Sequence, residues 1–325
     1  MGAGLWRIPV AGGTPERLTV GAYDASDPTI SRKGYRLAYT QRSGGDTNIY
    51  RIEIPTATAR ANSPVRFISS TRNESQSQFS PDSHRIVFSS DRSGSDEIWT
   101  CNSDGSNPVQ LTFLGGAGTP RWSPDGRQIA FDSNARGNFD IYVIDAAGGL
   151  PRLLTTETAD DNLLSWSKDG RWIYFASKRS GDYQEWKVPA EGGEAVQITK
   201  QGGYVAFESP DGKFVYYTKK DTPGIWRAPV EGGKEIPVID SFNLSDNVNW
   251  ALVTDGIYFI DSGAKEGAAI EFFSLITRRI TKVAELGKVY IFPNGFAVSP
   301  DRRSFLYTQA DTLGSSDIML VENFR

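Results

Sequence analysis

The 325-residue chain has one cysteine, Cys101, and one histidine, His84, and it lacks both a long apolar run and any cluster of basic residues. Each shortage excludes something. A single cysteine cannot form an internal disulfide, and burial as a small hydrophobe is its expected role. A single histidine leaves serine or cysteine nucleophilic catalysis without its usual base, and no Gly-x-Ser-x-Gly elbow occurs. His84 replaces the glycine of a Ser-Pro-Asp-Gly turn, so an exposed rim position without a catalytic role is expected, and histidine-ligated metal chemistry is equally unsupported. No stretch approaches the roughly 18 apolar residues of a membrane helix, so no membrane insertion is expected. A formal charge of −4 with no cationic face argues against direct nucleic-acid binding. The opening MGAGLWRIPVAGG has neither the charged start nor the apolar core of a secretion signal, which leaves a cytoplasmic or periplasmic location open.

What is abundant is turn chemistry, with 33 glycines and 17 prolines, beside 12% aromatic residues. The stretch RWSPDGRQIAFDSNARGNFDIYVIDAAGG, residues 121–149, shows how it is used. A Pro-Asp-Gly turn, an alternating apolar run, a polar turn, a second apolar run and a Gly-Gly turn follow one another, as in consecutive hairpins. Asp132, Asn134, Gly137 and Asp140 invite comparison with a helix-flanked calcium loop. That loop needs oxygen ligands at alternate positions and a bidentate glutamate at the twelfth, where this chain has Arg136 at the fifth position and Val143 at the twelfth. The stretch is better read as a polar β-turn within a module.

The module recurs. Its turn begins at Ser31, Ser80, Ser123, Ser167, Ser209, Val253 and Ser299, with spacings of 49, 43, 44, 42, 44 and 46 residues. Each copy offers four short strands: one ending in the turn, a second such as RIVFSS or QIAFDS alternating so as to bury one face, a third such as EIWTCN or DIYVID, and a fourth such as VQLT. Seven sets of four antiparallel strands at this period predict an all-β, seven-bladed β-propeller, in which radial repetition hides the sheet edges. An unbroken repeat makes residues 1–325 one domain, expected to be monomeric. Third-strand copies number eight, beginning with LWRIPV at residues 5–10, and the last copy lacks a fourth strand. Closure of the last blade by the N-terminal strand ERLT at residues 16–19 follows, and a third strand without predecessors suggests the C-terminal part of a longer protein.

The turns SPDG, the RSG segments, the IW/IY strands and the GGxxxxLT closures resemble the PD40 repeats of the TolB-like propeller superfamily across essentially the whole chain. LWRIPVAGGTPERLT, FISSTR, GTPRWSPDG and the closing SDIMLVENFR further resemble C-terminal propellers of large bacterial proteins that carry an N-terminal winged-helix or protein kinase domain. The resemblance implies a sensor or scaffold that binds a protein, peptide or small molecule, with no cofactor. Relatives of the fold include hydrolases and lyases, and calcium-dependent propeller esterases supply an alternative: a weak metal-dependent hydrolase of esterase or phosphotriesterase type, with Ca2+ at the channel mouth.

First strands line the channel of a propeller, so the second and fourth positions before each turn residue are the candidate ligand contacts. They place Asp27, Gln76, Gln78, Arg121 and Asn249 there as the polar set. Asp24, Glu74, Asp160, Asp161 and Asp246 fall in the loops above, and Glu74, Asp161 and Asp246 are the oxygen donors of the metal alternative. Recurrent third-strand aromatics, Trp6, Trp99, Trp186, Trp226, Tyr50 and Tyr142, are read as filling between blades. Arg42, Arg92, Arg136 and Arg179, which recur after the second strand, are read as hydrogen-bonding partners of nearby acids.

Overall fold

A computed structural model of the chain describes residues 5–18, 25–31, 36–43, 46–54, 61–240, 244–263, 267–287, 290–291, 295–310 and 315–322. They form two compact units, Thr47–Gln309 and, separately, Met1–Asp46 with Ala310–Arg325.

In the larger unit the repeat folds as anticipated. Blade one consists of Glu74–Phe79, Arg85–Ser90, Glu97–Asn102 and Val109–Gln110. Blade two consists of Ala117–Trp122, Gln128–Ser133, Asp140–Asp145 and Arg152–Leu153, and blade three of Asp161–Trp166, Trp172–Ser177, Gln184–Pro189 and Val196–Gln197. Blade four contains Val205–Glu208, Phe214–Thr218, Ile225–Pro229 and Ile236–Ile239, and blade five Trp250–Val253, Gly256–Asp261, Ala268–Ser274 and Ile280–Gly287. Each is a four-stranded antiparallel sheet in chain order. The sixth sheet joins distant segments: Ser304–Ala310 pairs on one side with Ala297–Val298 and Tyr290–Ile291, and on the other with Thr47–Glu53, which carries Val65–Ile68 at its outer edge. First strands touch their neighbours from blade one through blade five, and Ala297–Val298 returns to Glu74–Phe79, so six blades close the ring.

The count is therefore six and not seven. The strand TNIYRIE, expected to pair with Arg36–Ser43, serves instead as third strand of the sixth blade. Arg36–Ser43 pairs with Ala25–Ile30 and Ser315–Glu322 in a separate three-stranded sheet of the smaller unit. All third-strand copies share one pattern, so either can satisfy either second strand. The expected N-terminal closure is also corrected. Glu16–Arg17 pairs with Trp6–Arg7, extended by a bond from Leu18 N to Leu5 O, because a Gly12–Gly13 turn brings these segments together over a short loop. Leu5, Leu37 and Tyr39 form this unit's small core, while Trp6 stands 61% exposed and fills no space between blades.

Second strands are buried on both faces, not one. Ile129 and Phe131 pack with Val87, Ile98 and Leu111 of blade one, whereas Ala130 between them packs with Leu164, Trp166 and Phe175 of blade three. Every seam is thus part of the core, and each fully buried Ile or Phe contributes about 1.5–3 kcal/mol. The turns are stapled alike. In the turns at Ser80, Ser123, Ser167, Ser209 and Ser299 the serine hydroxyl donates to the Asp two residues on at 2.6–2.7 Å and accepts the amide five residues on. His84 is exposed on such a turn, and Cys101 is buried with its thiol pushed up to about 12 by desolvation.

Candidate functional site: the inner strands of blades one to three

The inner strands carry an irregularity that no glycine announces. Gln76, Thr119 and Leu163, each four residues before its turn serine, have φ of 57°, 44° and 55°, and the pairing register shifts at each of these places. Non-glycine residues pay strain in this region, most of all β-branched Thr119. The conformation turns an amide toward the preceding blade, where a side chain meets it. Gln76 Oε1 accepts from Thr119 N at 2.7 Å, and Asp132 accepts from Leu163 N at 3.2 Å and from the Thr119 hydroxyl. Gln78 Oε1 accepts from Trp122 N at 2.7 Å. Two of the expected ligand contacts, Gln76 and Gln78, thus spend their carbonyl oxygens on stitching blade one to blade two.

Arg121 is different. Its carbonyl accepts from Trp166 Nε1 at 2.9 Å, yet among the described residues its half-buried guanidinium makes one hydrogen bond, from Nη1 to the carbonyl of Pro120 at 2.9 Å. Burial lowers its pKa to about 10, which leaves it charged at neutral pH, and the nearby Asp132 opposes that shift. Asp132 itself is pushed up to about 6 by burial, against the hydrogen bonds of Thr119 and Leu163 and the charge of Arg121. Asp132 belongs to a buried second strand and is no part of a polar turn, while Asn134 and Gly137 do lie in the turn and Asp140 begins the third strand. Sequence reasoning missed Asp132 as the buried acid beside Arg121. A carboxylate in a column where Ser89 and Ala176 stand was the available signal.

The remaining candidates are placed as follows. Asn249 Oδ1, in blade five, accepts from Gly295 N at 3.2 Å. Asp27 lies exposed in the smaller unit with φ of 53°, repeating the same irregularity. Asp24 falls outside the described residues. Glu74 is buried and accepts from Arg92 Nη2 at 3.1 Å, Ser90 Oγ at 3.1 Å, Ser70 Oγ at 2.7 Å and Ser70 N at 2.9 Å. Asp161 is paired with Arg179 at 2.5 Å, Asp160 accepts from Phe139 N, and Asp246, raised by burial, accepts from Ser262 N at 3.1 Å. These acids are held apart on three blades, each by its own partners, and among the described residues no three of His, Cys, Asp and Glu form a metal-holding group. Arg92 and Arg179 also lie over Trp99 and Trp186 at 5.1 and 5.0 Å, and in blade four Lys219 lies over Trp226 at 4.0 Å with Glu235 as its partner. A third-strand tryptophan, a cation and a carboxylate thus recur as one structural motif. The side chain of Arg42 is outside the described residues.

Comparison with known proteins agrees with this architecture. Residues 112–235 match the PD40 family, described as the TolB beta propeller domain. A putative TolB from Agrobacterium tumefaciens is 21% identical, with 89% of this chain and 90% of that chain covered and a TM-score of 0.49. TolB from Acinetobacter baumannii is 16% identical at a TM-score of 0.56, covering 83% of this chain and 65% of the other. An oligogalacturonate lyase from Vibrio parahaemolyticus is 14% identical at a TM-score of 0.54, with 85% and 86% covered.

Proposed function

We propose, from the match of residues 112–235 to the TolB beta propeller family, that the chain is a non-catalytic binding module, a sensor or scaffold whose channel wall takes an anionic group of a ligand or protein partner at Arg121. One observation carries the reading. Among the described residues the half-buried guanidinium of Arg121 has a backbone carbonyl as its only hydrogen-bond partner and no carboxylate ion pair, although it could serve two oxygens at once. The six-bladed ring fixes it on a strand locked by Gln76, Gln78 and Asp132, which is the rigid support a binding group needs. The acids on other blades are engaged in ion pairs and backbone bonds, so they favour a structural part over catalysis.

The test is titration calorimetry with citrate and inorganic phosphate as probes, followed by structure determination of any complex. Arg121→Ala is expected to weaken anion binding by about 1.5–3 kcal/mol, the worth of a charged hydrogen bond. Equal affinity in the variant, or an anion bound on outer blade edges with Arg121 untouched, overturns the reading.

A further inference from the structure

The residue just before the third-strand position where most repeats carry a tryptophan or tyrosine is aliphatic in seven copies: Leu5, Ile49, Ile98, Ile141, Ile225, Ile270 and Ile318. Blade three has Glu185 there. The hydrogen bonds confirm the equivalence, since Ile98 N, Ile141 N and Glu185 N each donate to a threonine hydroxyl, of Thr112, Thr155 and Thr199, at 2.8–2.9 Å. The carbonyls of the same three residues accept from Leu111, Leu154 and Ile198. Glu185 is fully buried like Ile49, Ile98, Ile141, Ile225 and Ile270, and among the described residues neither of its carboxyl oxygens has a hydrogen-bond partner.

Among the described residues its neighbours supply no compensating charge. On its own strand Gln184 is bound to Thr199 and Gly202, and Lys187 to Val230 and Glu231. Across the sheet Glu185 pairs with Ala176, which pairs in turn with Asn162, whose buried Oδ1 also lacks a partner. Asp161 beside it is taken by Arg179. From blade four come Gly203, the Tyr217 phenol, which burial first and then the charges of Glu235 and Glu185 push up, and Lys219, which is paired with Glu235. Gly203 makes the room: a Cβ on it would lie 2.6 Å from Glu185 Cγ. Two residues on, Val205 begins the inner strand of blade four.

An ionised carboxylate without partners in such a place would be far too costly, whereas a neutral acid is tolerable and can act as a donor. We propose that Glu185 is the proton-holding element of a pH-sensitive seam between blades three and four: the neutral acid keeps the seam closed, and loss of its proton loosens the inner edge of blade four. Burial alone raises the Glu185 pKa to about 8. A folded pKa above the unfolded one means that its stabilisation is complete below about pH 4.5 and is lost as pH rises to about 8. The proposal stands independently of what Arg121 binds.

Denaturant unfolding of the whole chain from pH 5 to 9 tests it, with wild type compared with Glu185→Gln and with Glu185→Ile, the residue of the column. Relative to either variant, the wild-type unfolding constant should rise about tenfold per pH unit from pH 5 toward about 8 and level off above it, as one linked proton requires. Protection factors for amide exchange at Gly203 and Tyr204, with the intrinsic pH dependence of exchange divided out, should fall above pH 8 in the wild type only. Carbon-13 NMR of the Glu185 carboxyl in the wild type gives the direct answer even where a variant does not fold. Parallel pH profiles, or a carboxyl titrating near 4.5 in the folded protein, overturn the proposal.

Discussion

Thr119 N donates to Gln76 Oε1 at 2.7 Å across the seam between blades one and two, from a left-handed conformation that a β-branched residue rarely adopts. The bond supports the strain and consumes a side chain that would otherwise reach a ligand. Gln76→Ala should leave the amide unsatisfied and lower unfolding free energy by about 1–3 kcal/mol, the cost of an orphaned buried donor. Gln76→Glu, which keeps the acceptor, should lose less. Urea unfolding of the three proteins checks both statements, and equal midpoints for Ala and wild type would remove Gln76 from its stitching role.

Asp132 should control the anion affinity of Arg121. Its carboxyl, raised to about 6, is charged at pH 8 and mostly neutral at pH 5, and the charged form offsets the Arg121 field. Once the charge that citrate itself loses on protonation is allowed for, affinity should therefore rise as pH falls through about 6. Asp132→Asn should bind citrate more tightly than wild type at pH 8 and no differently from it at pH 5. Calorimetry at the two pH values decides it, and an unchanged pH profile in the variant refutes the coupling.

Local chemistry was readable from the sequence and non-local chemistry was not. The Ser80–Asp82 staple and its repeats sit within five residues of chain, so the pattern announces them. The arginines at 92 and 179 were legible as partners of acids because the repeat sets Glu74 and Asp161 at a fixed distance upstream. Blade number was not legible, since TNIYRIE and SSDIMLVE present the same alternation to any second strand. The left-handed turns at Gln76, Thr119 and Leu163 were hidden because no glycine marks them, and so carbonyl oxygens that seemed free for ligand were already committed.

Asp161 and Arg179 form a pair with 0% and 14% of their side chains exposed. Removing one partner strands a charge in the interior, so Arg179→Ala should cost about 3–5 kcal/mol. The same pairing bears on the calcium alternative. An ion at the channel mouth would have to displace Arg179 from Asp161 and Arg92 from Glu74, so millimolar calcium is expected to leave the thermal midpoint of the wild type unchanged. A midpoint that climbs with calcium concentration, as mass action demands of a folded-state ligand, would restore the metal-dependent reading.

Ring closure rests on the strand Thr47–Glu53, and Arg51 is its tie. Nη2 donates to Ser304 Oγ at 3.1 Å on the adjoining strand of blade six, Nη1 donates to Ser103 O at 3.1 Å in blade one, and the guanidinium lies 5.1 Å from the Phe67 ring of the outermost strand. One side chain therefore holds three segments that meet only if the sixth blade is completed by residues 47–68. In a seven-bladed ring, where this strand would sit beside Arg36–Ser43, the contact with Ser304 would not exist. Arg51→Ala should lower stability by about 1–3 kcal/mol through lost charged hydrogen bonds. A double-mutant cycle with Ser304→Ala should give coupling of about 0.5 kcal/mol or more, the mark of residues in direct contact. Additive effects of the two substitutions would argue against six-bladed closure.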